Sequence, residues 1–246
     1  MLTAKQAAYT AGKCLRRGSK QLRTIHFQDD KDVKLKADIE SEELIRKHLT
    51  QRFNFPIIGE EQGGDPSLLQ GDEPYWIVDP LDGTYNYLRH NQTTCVSIGL
   101  WRGIDPILGI IYDFNRDELF GGIADGQFKI NRKSITPNWA TKIDHAVLFT
   151  GFPAGRDFST KALESFIDHI QRFKKIRMIG SAALALAYVA AGRGDAYFEE
   201  GINLWDIAAG IALVKAAGGA VKTTLNPSNP FSINVWATAK AEWIPD

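Results

Sequence analysis

The sequence is short of cysteine, of net charge and of long apolar runs. Only Cys14 and Cys95 occur among its 246 residues. Two are too few for a disulfide framework or a cysteine-rich zinc site, and both read as small apolar residues. No sign of charge prevails: 29 Lys+Arg against 29 Asp+Glu leave a formal net charge of zero. That balance argues against a strongly basic nucleic-acid binder and against an acidic disordered tail. No stretch reaches the ~18–20 apolar residues of a membrane span. The most apolar segments, Ser181–Ala191 and Ile207–Ala217, are helix-length, edged by glycine, and the second is interrupted by Lys215. Met1–Tyr9 carries Lys5 and Gln6 without an apolar core. No secretory signal is expected, and a cytoplasmic location is the default expectation.

What is present is an ordinary globular composition, 44% hydrophobic and 24% charged. Residues 3–23 have helical spacing of Ala7, Ala8, Ala11, Cys14 and Leu15, and Asp38–Phe53 forms a second helix on Ile39, Leu44, Ile45 and Leu49. Between them, 26–37 is polar and predicts a loop or hairpin. Strands are expected at Phe55–Ile58, Tyr75–Val78, Thr94–Trp101, Ile107–Asp113 and Glu118–Ala124, with Gly, Asp and Asn between them. Asn138–His145 reads as a linker. The second half alternates: strands at Ala146–Thr150, Lys175–Ile179, Ala196–Glu199 and Ala220–Thr224, helices at Ser159–Arg172, Ser181–Ala191 and Asp206–Ala217. Alternation of this kind predicts a partly parallel sheet covered by helices. The expected fold is mixed α/β, a layered αβαβα sandwich. It divides into a mostly antiparallel α+β subdomain over 1–143 and a mixed-sheet α/β subdomain over 144–246.

The chemistry concentrates in residues 75–84, YWIVDPLDGT. An apolar strand runs into Asp79; Pro80, which lacks an N–H, is expected to stop the ladder and set a turn. Asp82, Gly83 and Thr84 then open a helix whose first N–H groups are unpaired and attract phosphate. Two carboxylates beside such a site repel phosphate unless divalent cations lie between, and oxygen ligands suit Mg²⁺ or Mn²⁺. Alone, the pair reads first as a capped strand-to-helix turn with solvated aspartates. Two other segments add acids at the ends of apolar runs. FPIIGEE delivers Glu60 and Glu61 past a glycine, and GINLWDIAAGIALVKAAGG places Asp206 at the start of a buried helix, where it would also serve as a plain N-cap. Glu60, Asp79, Asp82, Asp206 and the Leu81 carbonyl together offer enough oxygen for two cations.

GEE, WIVDPLDGT and WDIAAG with a downstream GG resemble the inositol monophosphatase family of Mg²⁺-dependent, lithium-sensitive sugar phosphatases. The likeness runs over nearly the whole chain, through VSIG (96–99), GIIY (109–112), GFP (151–153) and the stretch 180–195. It implies that Glu60, Asp79 and the Leu81 carbonyl ligate a first Mg²⁺, and that Asp79, Asp82 and Asp206 hold a second. A weaker third cation would face Glu60 through water, near Asp38. Thr84 and Glu60 would position the attacking water, the Gly83 and Thr84 amides would bind phosphate, and Ser181, Ala182 and Glu199 would touch substrate hydroxyls. The implied substrate is a small phosphorylated polyol or sugar, the implied assembly a homodimer, with no membrane or nucleic acid involved. Two departures stand out. The family's Thr-x-x-Asp appears as Leu35-Lys36-Ala37-Asp38, and its glycine-rich hairpin appears as Asp125–Arg132 without its second turn glycine.

The same scaffold serves fructose-1,6-bisphosphatase, 3′(2′),5′-bisphosphate nucleotidase and histidinol phosphatase, and can be kept for a regulatory binding role. The metal ligands handle only the phosphate ester, so selectivity is expected near Ser181, Glu199 and the segments 26–37 and 85–93. A haloacid-dehalogenase-type aspartyl phosphatase places its two aspartates two apart. Asp79 and Asp82 are three apart.

Overall fold

Alanine lets two helices pack closely at the start of the chain. In α1 (Leu2–Arg17), Ala4, Ala7, Ala8, Ala11 and Leu15 face inward. The helix ends earlier than its composition predicts because Gly18 takes φ 53°, the left-handed conformation that favours glycine as a helix stop. In α2 (Lys36–Thr50), Ala37, Ile45 and Leu49 are buried. The polar segment between them is a hairpin of β1 (Ile25–Gln28) and β2 (Val33–Leu35). The computed structural model describes residues 1–18, 20–29, 33–152 and 157–245; positions 30–32 of that hairpin segment, Pro153 of GFP and Asp246 lie outside them.

The first sheet comprises β3 (Ile57–Gly59), β4 (Pro74–Asp82), β5 (Cys95–Arg102), β6 (Asp105–Asp113), β7 (Glu118–Ile123), β8 (Phe128–Ile130) and β9 (Lys133–Ser134), in sequence order. Only β3 and β4 run parallel. Side chains alternate between its faces with the period of two that a pleated strand imposes. Trp76 and Val78 meet α1 and α2, whereas Tyr75 and Ile77 face α5 (Ala182–Ala190) and α6 (Leu204–Ala216). In the altered hairpin the left-handed position is taken by Asn131, φ 56°, a residue that tolerates it.

The second sheet has the order β11-β10-β12-β14-β13, with β10 (Val147–Thr150), β11 (Lys175–Arg177) and β12 (Ala196–Asn203) parallel and β13 (Ala220–Asn226) and β14 (Asn229–Thr238) antiparallel. The sequence reading ended the strands at Ala220–Thr224 and missed β14, which lies inside the sheet. Its Asn, Pro and Ser residues look like turn punctuation. Yet Ile233, Val235 and Ala237 alternate inward, and Asn234 Oδ1 accepts from the Gly201 amide where β12 is irregular. The outer face is covered by an aromatic cluster in which Phe166 of α4 (Thr160–Ile170) packs with Phe198, Trp236 and Trp243. The layers are therefore α1/α2, the first sheet, α5/α6, the second sheet and α4, the expected αβαβα sandwich.

The middle layer fixes the position of the site. A row of glycines, Gly99, Gly109 and Gly122, runs across β5, β6 and β7 in register. A Cβ at Gly99 would stand 3.2 Å from the Ala208 Cβ and one at Gly122 2.7 Å from the Ala216 Cβ; one at Gly109 would overlap the Ala209 carbonyl. The row is thus a groove that holds α6, and Trp101 Nε1 donates to the Ala208 carbonyl at 3.1 Å to pin it. Gly109→Ala should cost about 1–3 kcal/mol or more, as overpacking does. Urea unfolding checks this, with Gly71→Ala, where a Cβ meets nothing nearer than 3.8 Å, as the neutral reference.

Candidate active site

β4 delivers two carboxylates to one face by an irregularity. In a regular strand, residues three apart point to opposite faces. Asp79 pairs with Ser97 and Asp82 with Cys95, so Pro80 and Leu81 together oppose the single residue Val96. This is a β-bulge, which the missing proline N–H favours. The ladder is thus not stopped at Pro80, as the sequence suggested; it resumes at Asp82. The bulge is held by the Leu81 amide, which donates to Asp79 Oδ1 at 3.0 Å, and by the Ser41 hydroxyl of α2, which donates to the Pro80 carbonyl at 2.9 Å. Gly83 follows at φ 89°, where a Cβ would stand 2.8 Å from the Thr93 carbonyl and 3.1 Å from that of Gly180. α3 (Thr84–Leu88) begins there.

Asp206 arrives from the other half of the chain. It is not the N-cap of α6; that position is Asn203, and Asp206 stands in the first turn, its Oδ2 accepting from the Asn203 amide at 3.2 Å. Carboxylate oxygens of Asp79, Asp82 and Asp206 all lie within 4.8 Å of one another. Glu60 lies near enough to this group that the charges of Asp206, Asp38 and Glu61 act on its carboxyl. Its backbone is tied to β4 by its amide, which donates to the Val78 carbonyl at 3.2 Å. Glu61 turns to Lys34 at 3.1 Å.

Asp38 and Thr84 form an adjoining pair. Thr84 Oγ1 donates to Asp38 Oδ1 at 2.8 Å and lies 3.0 Å from the Leu81 carbonyl; Asp38 Oδ2 accepts from the Leu35 amide at 2.7 Å. Leu35, standing where the family pattern has threonine, is fully buried in the core under α2. It cannot cap the helix with a side-chain oxygen, and the aspartate reaching back supplies the remaining half of that cap. On the opposite side, Asp82, Asp206, Ser181, Ala182, Glu199 and Phe152 are among the residues lining a cavity of about 210 Å³. Glu199 is held there by Tyr197, whose hydroxyl donates to its Oε2 at 2.6 Å.

The electrostatics ask for cations. Burial, then the Asp206 and Asp38 charges, push the Glu60 carboxyl well above its ordinary range. Burial, then Glu60 and Asp82, do the same to Asp79, and burial, then Asp82 and Glu199, to Asp206. Asp82 rises only to about 6, because against its burial it accepts from the Ser181 hydroxyl and from amides of α5. Burial lifts Asp38 to about 7. Asp79 Oδ2 is buried and has no hydrogen-bond partner among the described residues. A carboxyl oxygen left without a donor, in a cluster of acids that resist ionising together, suits the coordination chemistry of a hard divalent cation, and the residues present fit one.

A sequence model of the inositol monophosphatase family matches residues 1–242. The chain belongs to the inositol monophosphatase family. With it the chain belongs to the phosphoric monoester hydrolases. It is 39% identical over 221 residues to a Xylella fastidiosa protein named Nus factor SuhB, covering 88% of this chain and 78% of that one. It is 36% identical over 228 residues to inositol monophosphatase 1 of Solanum lycopersicum, covering 89% and 82%. Among solved structures, an inositol monophosphatase from Anabaena superposes with a TM-score of 0.82 at 33% identity, covering 98% of this chain and 90% of that one. The extragenic suppressor protein suhB of Bartonella henselae gives 0.83 at 30%, covering 99% and 94%. Among the described residues no helix is long and apolar enough to cross a membrane.

Sequence reasoning missed the residues that hold the site from behind. Glu42 stands four residues before Arg46, the spacing of a helical ion pair. It is fully buried: Oε1 accepts from Arg46 Nε at 2.7 Å and from the Gln62 amide at 3.2 Å, and Oε2 from the Glu61 amide at 2.8 Å. It thereby sets the loop that carries Glu60. The available signal was its place one turn before Ile45, on the stripe of α2 that faces the core. Glu42→Ala leaves two amides without their acceptor and takes from the Arg46 guanidinium its carboxylate partner, leaving it the Gly63 carbonyl; it should cost about 3 kcal/mol in urea unfolding, as losing one partner of a buried pair does. A loss below a third of that would show that the loop holds itself.

Proposed function

We propose that the protein is a Mg²⁺-dependent phosphatase that hydrolyses a phosphate monoester of a small polyol or sugar, with inositol monophosphate as the model substrate. One observation carries this reading: the convergence of Asp79, Asp82 and Asp206 beside Glu60, with Asp79 Oδ2 orphaned. Glu60, Asp79 and the Leu81 carbonyl would hold one cation, and Asp79, Asp82 and Asp206 a second, with Mn²⁺ an alternative and a weaker third site toward Asp38. Bound Mg²⁺ would supply charge neutralisation to the phosphate and acidify water. The protein's own groups do the rest. With its proton given to Asp38, Thr84 Oγ1 has lone pairs left to accept from an attacking water, which Glu60 would help to position. The Gly83 and Thr84 amides would receive the phosphate, and Glu199 and the Ser181–Ala182 segment would line the cavity of about 210 Å³ that takes the substrate hydroxyls. Phosphoryl transfer needs mainly positioning and charge neutralisation, so no covalent nucleophile is invoked.

A second reading rests on the relatives. One, 35% identical over 236 residues, is the Aquifex aeolicus protein named fructose-1,6-bisphosphatase/inositol-1-monophosphatase, and another bears the name of a Nus factor. A phosphate-release panel with Mg²⁺ on inositol 1-phosphate, fructose 1,6-bisphosphate, adenosine 3′,5′-bisphosphate and histidinol phosphate separates the substrates. Inositol 1-phosphate should lead, and a flat profile would mean a broad sugar phosphatase. Asp82→Asn should abolish release in a protein that still folds, and Li⁺ should inhibit the parent. Release undiminished by Asp82→Asn would overturn the two-cation assignment. A purely regulatory binder would show no release before or after the change. A homodimer and a cytoplasmic location accompany this reading as proposals; light scattering tests the first.

A further inference from the structure

Asp82 is oriented by an unusual concentration of donors on one oxygen. Its Oδ2 accepts from the Ser181 hydroxyl at 2.5 Å, from the Ala183 amide at 2.8 Å and, more weakly, from the Cys95 thiol at 3.7 Å. Ser181 in turn uses its oxygen to accept from the Leu184 amide at 3.3 Å, as the N-cap of α5. The hydroxyl is thus occupied in both directions: its one proton goes to Asp82 and its acceptor side to the helix. Both residues are buried, Ser181 at 4% and Asp82 at 7% exposure. Ninety-nine positions separate them in sequence, so the bond ties the bulge of the first sheet to the helix between the two sheets.

We infer that Ser181 is a positioning residue that acts through Asp82 rather than a contact for substrate hydroxyls. With Oδ2 occupied by these donors, Oδ1 would be the oxygen that Asp82 offers to a cation. This departs from the role that the family resemblance implies for Ser181. It rests on the cation site proposed above. Partners that orient a metal-ligating group from behind typically govern metal affinity by 10–100-fold, whereas a substrate contact governs KM.

The test is cation affinity, measured by titrating Mg²⁺ calorimetrically, and Mn²⁺ by its EPR signal, into cation-free protein. Ser181→Ala should raise Kd about 10–100-fold. Ser181→Thr, which keeps the hydroxyl, should stay close to the parent, and Ser181→Cys, a near-isosteric weaker donor, should fall between. At saturating Mg²⁺ the KM for inositol 1-phosphate should be unchanged in all three. Glu199→Gln should show the reverse pattern, a raised KM with unchanged Kd. If Ser181→Ala does not fold, Ser181→Cys carries the comparison with Ser181→Thr. Unchanged cation Kd with a raised KM in the serine variants would overturn the inference and return Ser181 to the substrate. A parent protein that binds neither cation would overturn the site reading, and this inference with it.

Discussion

Buried carboxylates repel one another, and that repulsion is the constraint the rest of this structure answers. Asp79 and Asp82 are almost wholly withdrawn from water, and their oxygens crowd that of Asp206 within 4.8 Å. A fold that brings such groups together must hold them mechanically, because the groups themselves favour separation. The holding is done by backbone devices: a bulge that turns β4 by one residue, an αL glycine immediately after it, and a helix whose first turn contains Asp206.

Each device is braced from outside the site. Ser41 fixes the bulge through the Pro80 carbonyl, Glu42 fixes the loop bearing Glu60, and the glycine row of β5, β6 and β7 sets how deeply α6 sits. Tyr197 does for Glu199 what Ser181 does for Asp82. The acidic groups vary in how far they are compensated. Asp82, with three donors on one oxygen, is the least displaced of the carboxyls Glu60, Asp79, Asp82 and Asp206, and Asp79, with an orphaned oxygen, is among those left for an outside charge to satisfy. The electrically neutral composition conceals all of this, since the cluster's excess is offset by lysines and arginines elsewhere on the surface.

The strands β3 to β7 of the first sheet and the helices α5 and α6 were legible because their signals are local; β8 and β9 are too short to carry a pattern. Apolar runs bounded by Gly, Asp and Pro mark strand ends, and a helix rich in alanine and apolar on nearly every side lies between layers. β14 was illegible for the opposite reason. Its polar residues serve a sheet irregularity and a neighbouring strand's amide, which only the paired strand reveals. The α1 boundary was missed because helical composition continues past Gly18, whose left-handed conformation decides the stop.

By itself the sequence determined which residues carry the charge and that they stand at the ends of apolar elements, since side-chain chemistry and periodicity are properties of the chain. It could not determine which carboxylates meet. Asp79 and Asp82 share a face only because the bulge adds one residue to the strand period, and Asp206 joins them only because α6 lies in a glycine groove formed by three other strands. The fate of Ser181 was likewise a tertiary decision. A serine before an apolar helix is a cap from its sequence alone, and it becomes a partner of Asp82 only where two sheets enclose the same helix.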